Sequence, residues 1–418
     1  GFSESVLIIM RPLKTPNPEK TMRVIKLLSL CALMTALVGP CLLHASEEVK
    51  LPAETGAGID HLLSMVGPGG QTAFQPERIE ALLKFVDGPK QPGSIYTAKP
   101  IEGSASAYTE ADVRMRLAEL LQYTFNPAVP WFATTPSSLR WSAWKSTAPP
   151  WQKLPNLWEL LDTAEQPVVI RGMETVENTP DLFSGAYYRY DLYRTLILMR
   201  RSDRNILISL AKQKNRSDVG KKGYILGPDD DWAYFYSGEP GLTVGGLGWM
   251  SSYMYDSAGI SIYAETSPAG PMVRTANIKW VRGGWSNINV IQNGHIHKGM
   301  QRFSQTLKAI LESPRLPSVK VMEESAAQIS ALTDARIREK IGVYRGILLA
   351  RAERLPGGAR KNLPDVFWEE SVWARMSREE MESALVLESL KAHLGKIPLE
   401  EVRGLISIQT PQRPQQGG

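Results

Sequence analysis

From Gln166 to Val290 apolar and polar residues alternate with a period of two, and from His295 the period turns helical. This switch constrains the fold more than any other feature of the chain. Tyr188, Tyr190, Leu192, Leu196 and Leu198 alternate with Arg189, Asp191 and Thr195, the pattern of one long half-buried strand. Further strands are expected at Asn205–Lys212, Trp232–Tyr236, Gly259–Glu265 and Met272–Arg282. The connections carry turn chemistry: Ser202-Asp203, Gly227-Pro228-Asp229-Asp230 and Ser267-Pro268-Ala269-Gly270. Strands joined this briefly must be antiparallel neighbours, so the expected class is α+β with a meander, not a doubly wound sheet. After the sheet, Met300, Phe303, Leu307, Ile310 and Leu311 form an apolar stripe ending at Ser313-Pro314. That helix is long enough to cover one face of the sheet.

The flanks read differently. From Ser46 to about residue 165, Pro- and Gly-rich stretches alternate with two expected amphipathic helices. The first runs from Pro76 to Val86, with Ile79, Leu82, Leu83 and Val86 on one face. The second starts at the cap-like Thr109-Glu110-Ala111-Asp112 and places Val113, Leu117, Leu120 and Leu121 on one stripe. Trp131, Trp141, Trp144, Trp151 and Trp158 follow, a density that reads as packing onto a neighbouring domain. Helix formers dominate Glu323–Leu355 and Pro364–Leu394. The expected plan is a helical, Pro- and Trp-rich region at 46–165, an α+β domain at 166–314, a helical region at 315–405 and a disordered tail at 406–418.

The first 21 residues read as a leader foreign to the fold, with Pro12, Pro16 and Pro18 breaking any helix before Met22. Residues 22–45 have the form of a cleavable export signal. Arg23 and Lys26 precede an uncharged run to Leu43, and Ala45 stands before the acidic Ser46-Glu47-Glu48. Gly39-Pro40 interrupts the run, which falls short of the roughly 20 residues a membrane span needs. The expectation is a periplasmic or envelope protein with no transmembrane segment in its mature part. Both cysteines, Cys31 and Cys41, lie inside this signal. The mature chain then has no thiol, which excludes disulfides, thiolate zinc sites and cysteine nucleophiles. The formal net charge of +5 is spread among 48 basic and 43 acidic residues, with no basic patch to suggest nucleic acid as a partner.

The last strand and its exit, Asn277-Ile278-Lys279-Trp280-Val281-Arg282-Gly283-Gly284-Trp285, lead through Ile288-Asn289-Val290 into the helix ending Leu307-Lys308-Ala309-Ile310-Leu311. This order resembles the START-like, or helix-grip, ligand-binding superfamily over about residues 166–314. Trp285-Ser286 stands where that family commonly has a proline. The resemblance implies a curved sheet gripping the helix around an apolar cavity that holds a lipid or other hydrophobic molecule, with no cofactor.

Arg194 falls on the apolar face of the long strand, where an unpaired guanidinium is costly. It should meet a buried carboxylate such as Glu265 or an anionic ligand head group. In a START-like cavity, Tyr188, Tyr190, Trp232, Tyr234, Tyr236 and Trp280 would line the wall around it. His295 and His297, if extended, would point both rings to one face as a metal site requires, although Asn293-Gly294-His295 also reads as a helix start. No Gly-x-Ser-x-Gly elbow or His-Glu-x-x-His motif is present. Three functions stand open: an exported protein binding a hydrophobic or amphipathic small molecule, a metal-assisted hydrolase or cyclase-like enzyme using His295 and His297, and a non-catalytic envelope scaffold whose C-terminal helices recruit a partner.

Overall fold

In the computed structural model, residues 47–70, 72–161, 165–201, 203–244, 248–266, 271–402 and 404–405 are described. The leader, the export signal, the Ser267–Gly270 turn and the tail from 406 lie outside them. Strands β1 (Glu48–Lys50) and β2 (Ile95–Thr97) bracket helices α1 (Gly56–Leu63) and α2 (Glu80–Asp87). Then come β3 (Ala105–Val113), α3 (Leu117–Thr124), β4 (Leu139–Thr147), a short α4 (Leu157–Leu160), β5 (Val168–Asn178) and β6 (Ala186–Tyr187). The long strands β7 (Arg189–Arg201) and β8 (Arg204–Gln213) form a hairpin. They precede β9 (Lys221–Ile225), β10 (Tyr234–Pro240), β11 (Leu242–Val244) and β12 (Gly248–Met250). Strands β13 (Ser252–Glu265), β14 (Val273–Trp285) and β15 (Ile288–Asn289) lead into α5 (Asn293–Leu311). The C-terminal helices are α6 (Val319–Ser330), α7 (Asp334–Arg354), α8 (Gly357–Lys361), α9 (Glu370–Ala374), α10 (Arg378–His393) and α11 (Leu399–Val402).

The main sheet runs in the order β1-β2-β3-β14-β13-β8-β7-β5-β4 and is antiparallel except for the β1–β2 pair. Four of the strands expected from the alternation are found in the main sheet as β7, β8, β13 and β14, while the one expected at Trp232–Tyr236 begins only at Tyr234, as β10 of a separate sheet, because Trp232 is left-handed at φ 49. The exit from β14 is a two-residue hairpin, Ser286-Asn287, both at positive φ, which joins Trp285 to its partner Ile288. Gly284 precedes it at φ 151, where a Cβ would strike the Ile288 carbonyl oxygen at 2.2 Å.

Two expectations are corrected. The helix expected from Thr109 is the second half of β3, and helix begins only at Leu117. Thr-Glu-Ala-Asp has fair helix propensity, but nine consecutive register pairs with β14 override it. The sheet also does not begin at 166: β3 and β4 come from the region expected to be helical and stand on opposite sides of the later strands.

The two faces of the sheet are covered by different parts of the chain. One packs Ile197, Ile208, Ile260, Ile278 and Trp280 against α1 and α2 through Leu62, Leu82, Leu83 and Val86, all buried. Over the other lie α3, α5 and, at the β4–β5 end, the C-terminal helices. The C-terminal helices also cover the small sheet β10-β9-β6, where Phe235 stacks edge-on against Phe367 at 4.8 Å. Among the described residues no helix is long and apolar enough to cross a membrane.

Candidate functional site: the hollow face under helix α5

Residues directly opposite in adjacent strands share a face, so the register fixes what lies under α5. One row reads Ala107, Lys279, Gly259, Ala211, Arg194 and Gly172 across β3, β14, β13, β8, β7 and β5. Two cations flank two residues with almost no side chain. The next row reads Thr109, Asn277, Ser261, Ser209, Leu196 and Ile170. Four polar residues thus adjoin the small ones in the middle of the sheet.

The centre of this face is open. A Cβ built on Gly259 would meet only the Ile278 carbonyl oxygen, at 3.8 Å, and Ala211 keeps partial exposure in mid-sheet. Lys279 is solvent-accessible, yet protein surrounds it closely enough that burial lowers its pKa, with the Arg194 guanidinium adding to the shift. Lys279 stands on this open face, in the row that also holds Gly259 and Ala211. Lys279 has no hydrogen bond or ion pair within range among the described residues, whereas Arg194 is fully engaged.

Arg194 is buried, as its position on the apolar face required, but its carboxylate partner is Glu174 and not Glu265. Its Nε donates to Glu174 Oε2 at 3.0 Å and its Nη1 to Ser209 Oγ at 3.3 Å, and the guanidinium lies 5.0 Å from the centre of the Trp131 ring. Glu174 sits one row from Arg194, opposite Leu192. Glu265, at the end of β13, accepts from the Asn205 backbone N–H at 3.1 Å.

The pair stands at the wall of a second cavity, of about 400 Å³, between β4–β5 and the C-terminal helices. Trp131, Trp141, Trp144, Phe125 and Glu174 line it. The tryptophans of the N-terminal region are therefore half-buried around a cavity as well as packed against the core.

The remaining predicted wall residues scatter. Tyr190 shares the hollow face with Arg194, and burial pushes its phenol up to about 12. Tyr188 lies at the start of β7 and bonds Ser252 Oγ at 3.2 Å. Trp280 is on the solid face, its indole N–H donating to the Lys99 carbonyl at 2.9 Å. Trp232, Tyr234 and Tyr236 belong to β10 and its approach, beside a small cavity of about 50 Å³. There Tyr236 takes the Arg140 guanidinium over its ring at 3.8 Å, and Arg140 pairs with Glu177 and Glu380. These three aromatics lie beside the C-terminal helices, on or next to the small sheet and away from the hollow face.

The histidine pair does not share a face. His295 and His297 lie in the first turns of a helix, where two positions subtend about 200° and the rings diverge. His295 closes the capping box with Gln292 and stacks on Phe183 at 4.1 Å. His297 turns toward the backbone of Tyr108, and burial lowers its pKa. Among the described residues no group of three or more His, Cys, Asp or Glu is placed to hold a metal ion.

Sequence reasoning missed Lys279, Asn277 and Gly259. Asn277 and Lys279 form the polar phase of the β14 alternation, and Gly259 lies opposite Lys279 on β13.

No protein-family model matches this sequence, and no curated protein matches it. Among solved structures it is similar to human StAR-related lipid transfer protein 5, at 8% identity over 55% of this chain and 90% of that one, with a TM-score of 0.27. It is also similar to a putative uncharacterized protein from Rhizobium leguminosarum, at 13% identity over 50% of this chain and 95% of the other, with a TM-score of 0.22. The fold is α+β, a mainly antiparallel sheet with a helix packed along β3 and β14.

Proposed function

We propose that this protein binds an amphipathic small molecule carrying an anionic group, held between α5 and the hollow face of the sheet, with Lys279 as the cation that receives it. The observation that carries this reading is Lys279 itself: an ammonium with no hydrogen bond or ion pair among the described residues, in one row with a second cation whose charge is already matched by Glu174. A desolvated charge is costly until it is paired, so an incoming anion gains what the empty site lacks. The bare centre at Gly259 and Ala211 supplies the room, and the aromatic walls near Trp131 supply apolar surface for the rest of the molecule. The role proposed is carriage or sensing of the molecule. Export to the envelope, read from residues 22–45, is part of the proposal, and the mass of the protein recovered from cell envelopes tests it.

Native mass spectrometry of the purified protein tests the binding. An anionic amphipath should accompany the wild type and be lost from Lys279→Met. Equal retention by both proteins would remove Lys279 from the site and with it this reading.

A further inference from the structure

Beside Lys279 the hollow face holds a group of buried polar atoms without hydrogen-bond partners: Thr109 Oγ1, Asn277 Nδ2, His297 Nδ1 and Ser304 Oγ. Thr109 and Asn277 are directly opposite each other on β3 and β14, and Asn277 is two residues before Lys279 on the same face. Helix α5 runs alongside β3. Asn293 Oδ1 accepts from the Ser106 N–H at 2.9 Å near its start, and Glu312 Oε1 accepts from the Arg114 N–H at 2.8 Å just past its end. His297 and Ser304, seven residues or about two turns apart, therefore lie above the stretch of β3 that contains Thr109.

Thr109, Asn277 and Ser304 are only 7%, 7% and 5% exposed. Orphaned polar atoms are rare at such depth, and Thr109 and Asn277 stand directly opposite each other under the helix that carries His297 and Ser304. Their chemistry says which partner. The His297 ring engages the Tyr108 backbone through its other nitrogen, which leaves Nδ1 as an acceptor. Asn277 Nδ2 can only donate. A hydroxyl both gives and accepts a hydrogen bond, so it answers an acceptor and a donor at once.

We infer that Thr109, Asn277, His297 and Ser304 form a hydrogen-bonding subsite for a hydroxyl-bearing part of the ligand, next to the cation subsite at Lys279. The ligand class is then a hydroxylated anion, of which a phosphoglycerol group is the simplest amphipathic example. This inference rests on the hollow face being a ligand site, and it departs from an apolar cavity for a purely hydrophobic molecule.

The experiment measures binding of three probes to the full chain by calorimetry: dodecyl phosphate, dodecyl phosphoglycerol and glycerol 3-phosphate. The wild type should prefer dodecyl phosphoglycerol to dodecyl phosphate by about tenfold, the worth of one or two net hydrogen bonds. Asn277→Leu should bring that ratio close to one, with the larger loss falling on dodecyl phosphoglycerol. The near-isosteric Thr109→Val should reduce the ratio and also raise the melting temperature of the ligand-free protein by about 1 °C, since it removes an orphaned hydroxyl. A ratio unchanged in both variants would overturn the subsite, leaving those atoms to water. A lower melting temperature for Thr109→Val would likewise overturn it, because the hydroxyl would then have a structural partner. Glycerol 3-phosphate binding as tightly as dodecyl phosphoglycerol would keep the subsite but remove the amphipath from the proposed function. Absence of binding by all three probes would end both.

Discussion

The two faces of one sheet behave as different materials. On the solid face Ile197, Ile208, Ile260, Ile278 and Trp280 interlock with α1 and α2. On the other face the same strands present Lys279, Asn277, Gly259, Ser261 and Ala211 beneath α5. The stability of the solid face lets the hollow face remain poorly packed and polar. A binding protein needs that division, because a site must carry groups that are unsatisfied until the ligand arrives, and their cost must be met elsewhere.

The sharpest way to break this comparison is to damage the solid face. Trp280→Ala should destabilise the fold by about 3–5 kcal/mol in a urea titration. A cost under about 1 kcal/mol would mean that this face is not the main support. Arg194→Met comes next. It strands the buried Glu174 carboxylate and should cost about 3 kcal/mol, with most of the loss recovered in the double variant Arg194→Met/Glu174→Leu. If the single change were harmless but abolished ligand retention, Arg194 would be a ligand anchor and the ion pair incidental.

Smaller effects sharpen the hollow side. Gly259→Ala adds a methyl group where only the Ile278 carbonyl stands near, at 3.8 Å, so it should stabilise the ligand-free protein by about 0.4–1 kcal/mol through the unfolded chain. Thermal melts would detect it, and a loss of stability would show that the space over Gly259 is filled.

The smallest effect is one of pH. Because the folded-state pKa of Lys279 is lowered, the unfolded chain binds more protons between that value and the ordinary lysine pKa of about 10.4. Ligand-free stability should therefore gain a rising contribution across that window, and Lys279→Met should remove it. An anion bound at Lys279 has the opposite preference. Its affinity should fall as pH rises and Lys279 loses its proton, and binding should take up protons, readable from calorimetry in buffers of different ionisation enthalpy.

Much of this architecture was legible in the residues. The alternation of β7, β8, β13 and β14 and the amphipathic stripe of α5 gave the antiparallel sheet and its gripping helix, because each pattern demands a covered face. The depth of Arg194 and its need for a carboxylate were legible too. The choice of Glu174 over Glu265 was not, since the partner is set by the register of β5 on β7, which no local pattern encodes. The wall residues were misplaced for a related reason. Alternation sorts a strand into two phases but does not say which phase faces the ligand. With both faces covered, the apolar phase of β14, Ile278 and Trp280, went to the packed side, and the polar phase, Asn277 and Lys279, went to the cavity.

Sequence alone thus determined that β7, β8, β13 and β14 are antiparallel strands followed by an amphipathic helix, and that the cysteine-free part of the chain must rest on its core. Those properties follow from local periodicity, turn residues and composition. Tertiary structure decided the rest: that β3 and β4 from the N-terminal region complete the sheet, that the histidines diverge around a helix, and that a lysine and an arginine with four strands of separate origin meet in one row. Such a row exists only when strands distant in sequence pair in one register. Its chemistry belongs to the sheet as a whole and to no single segment of the chain.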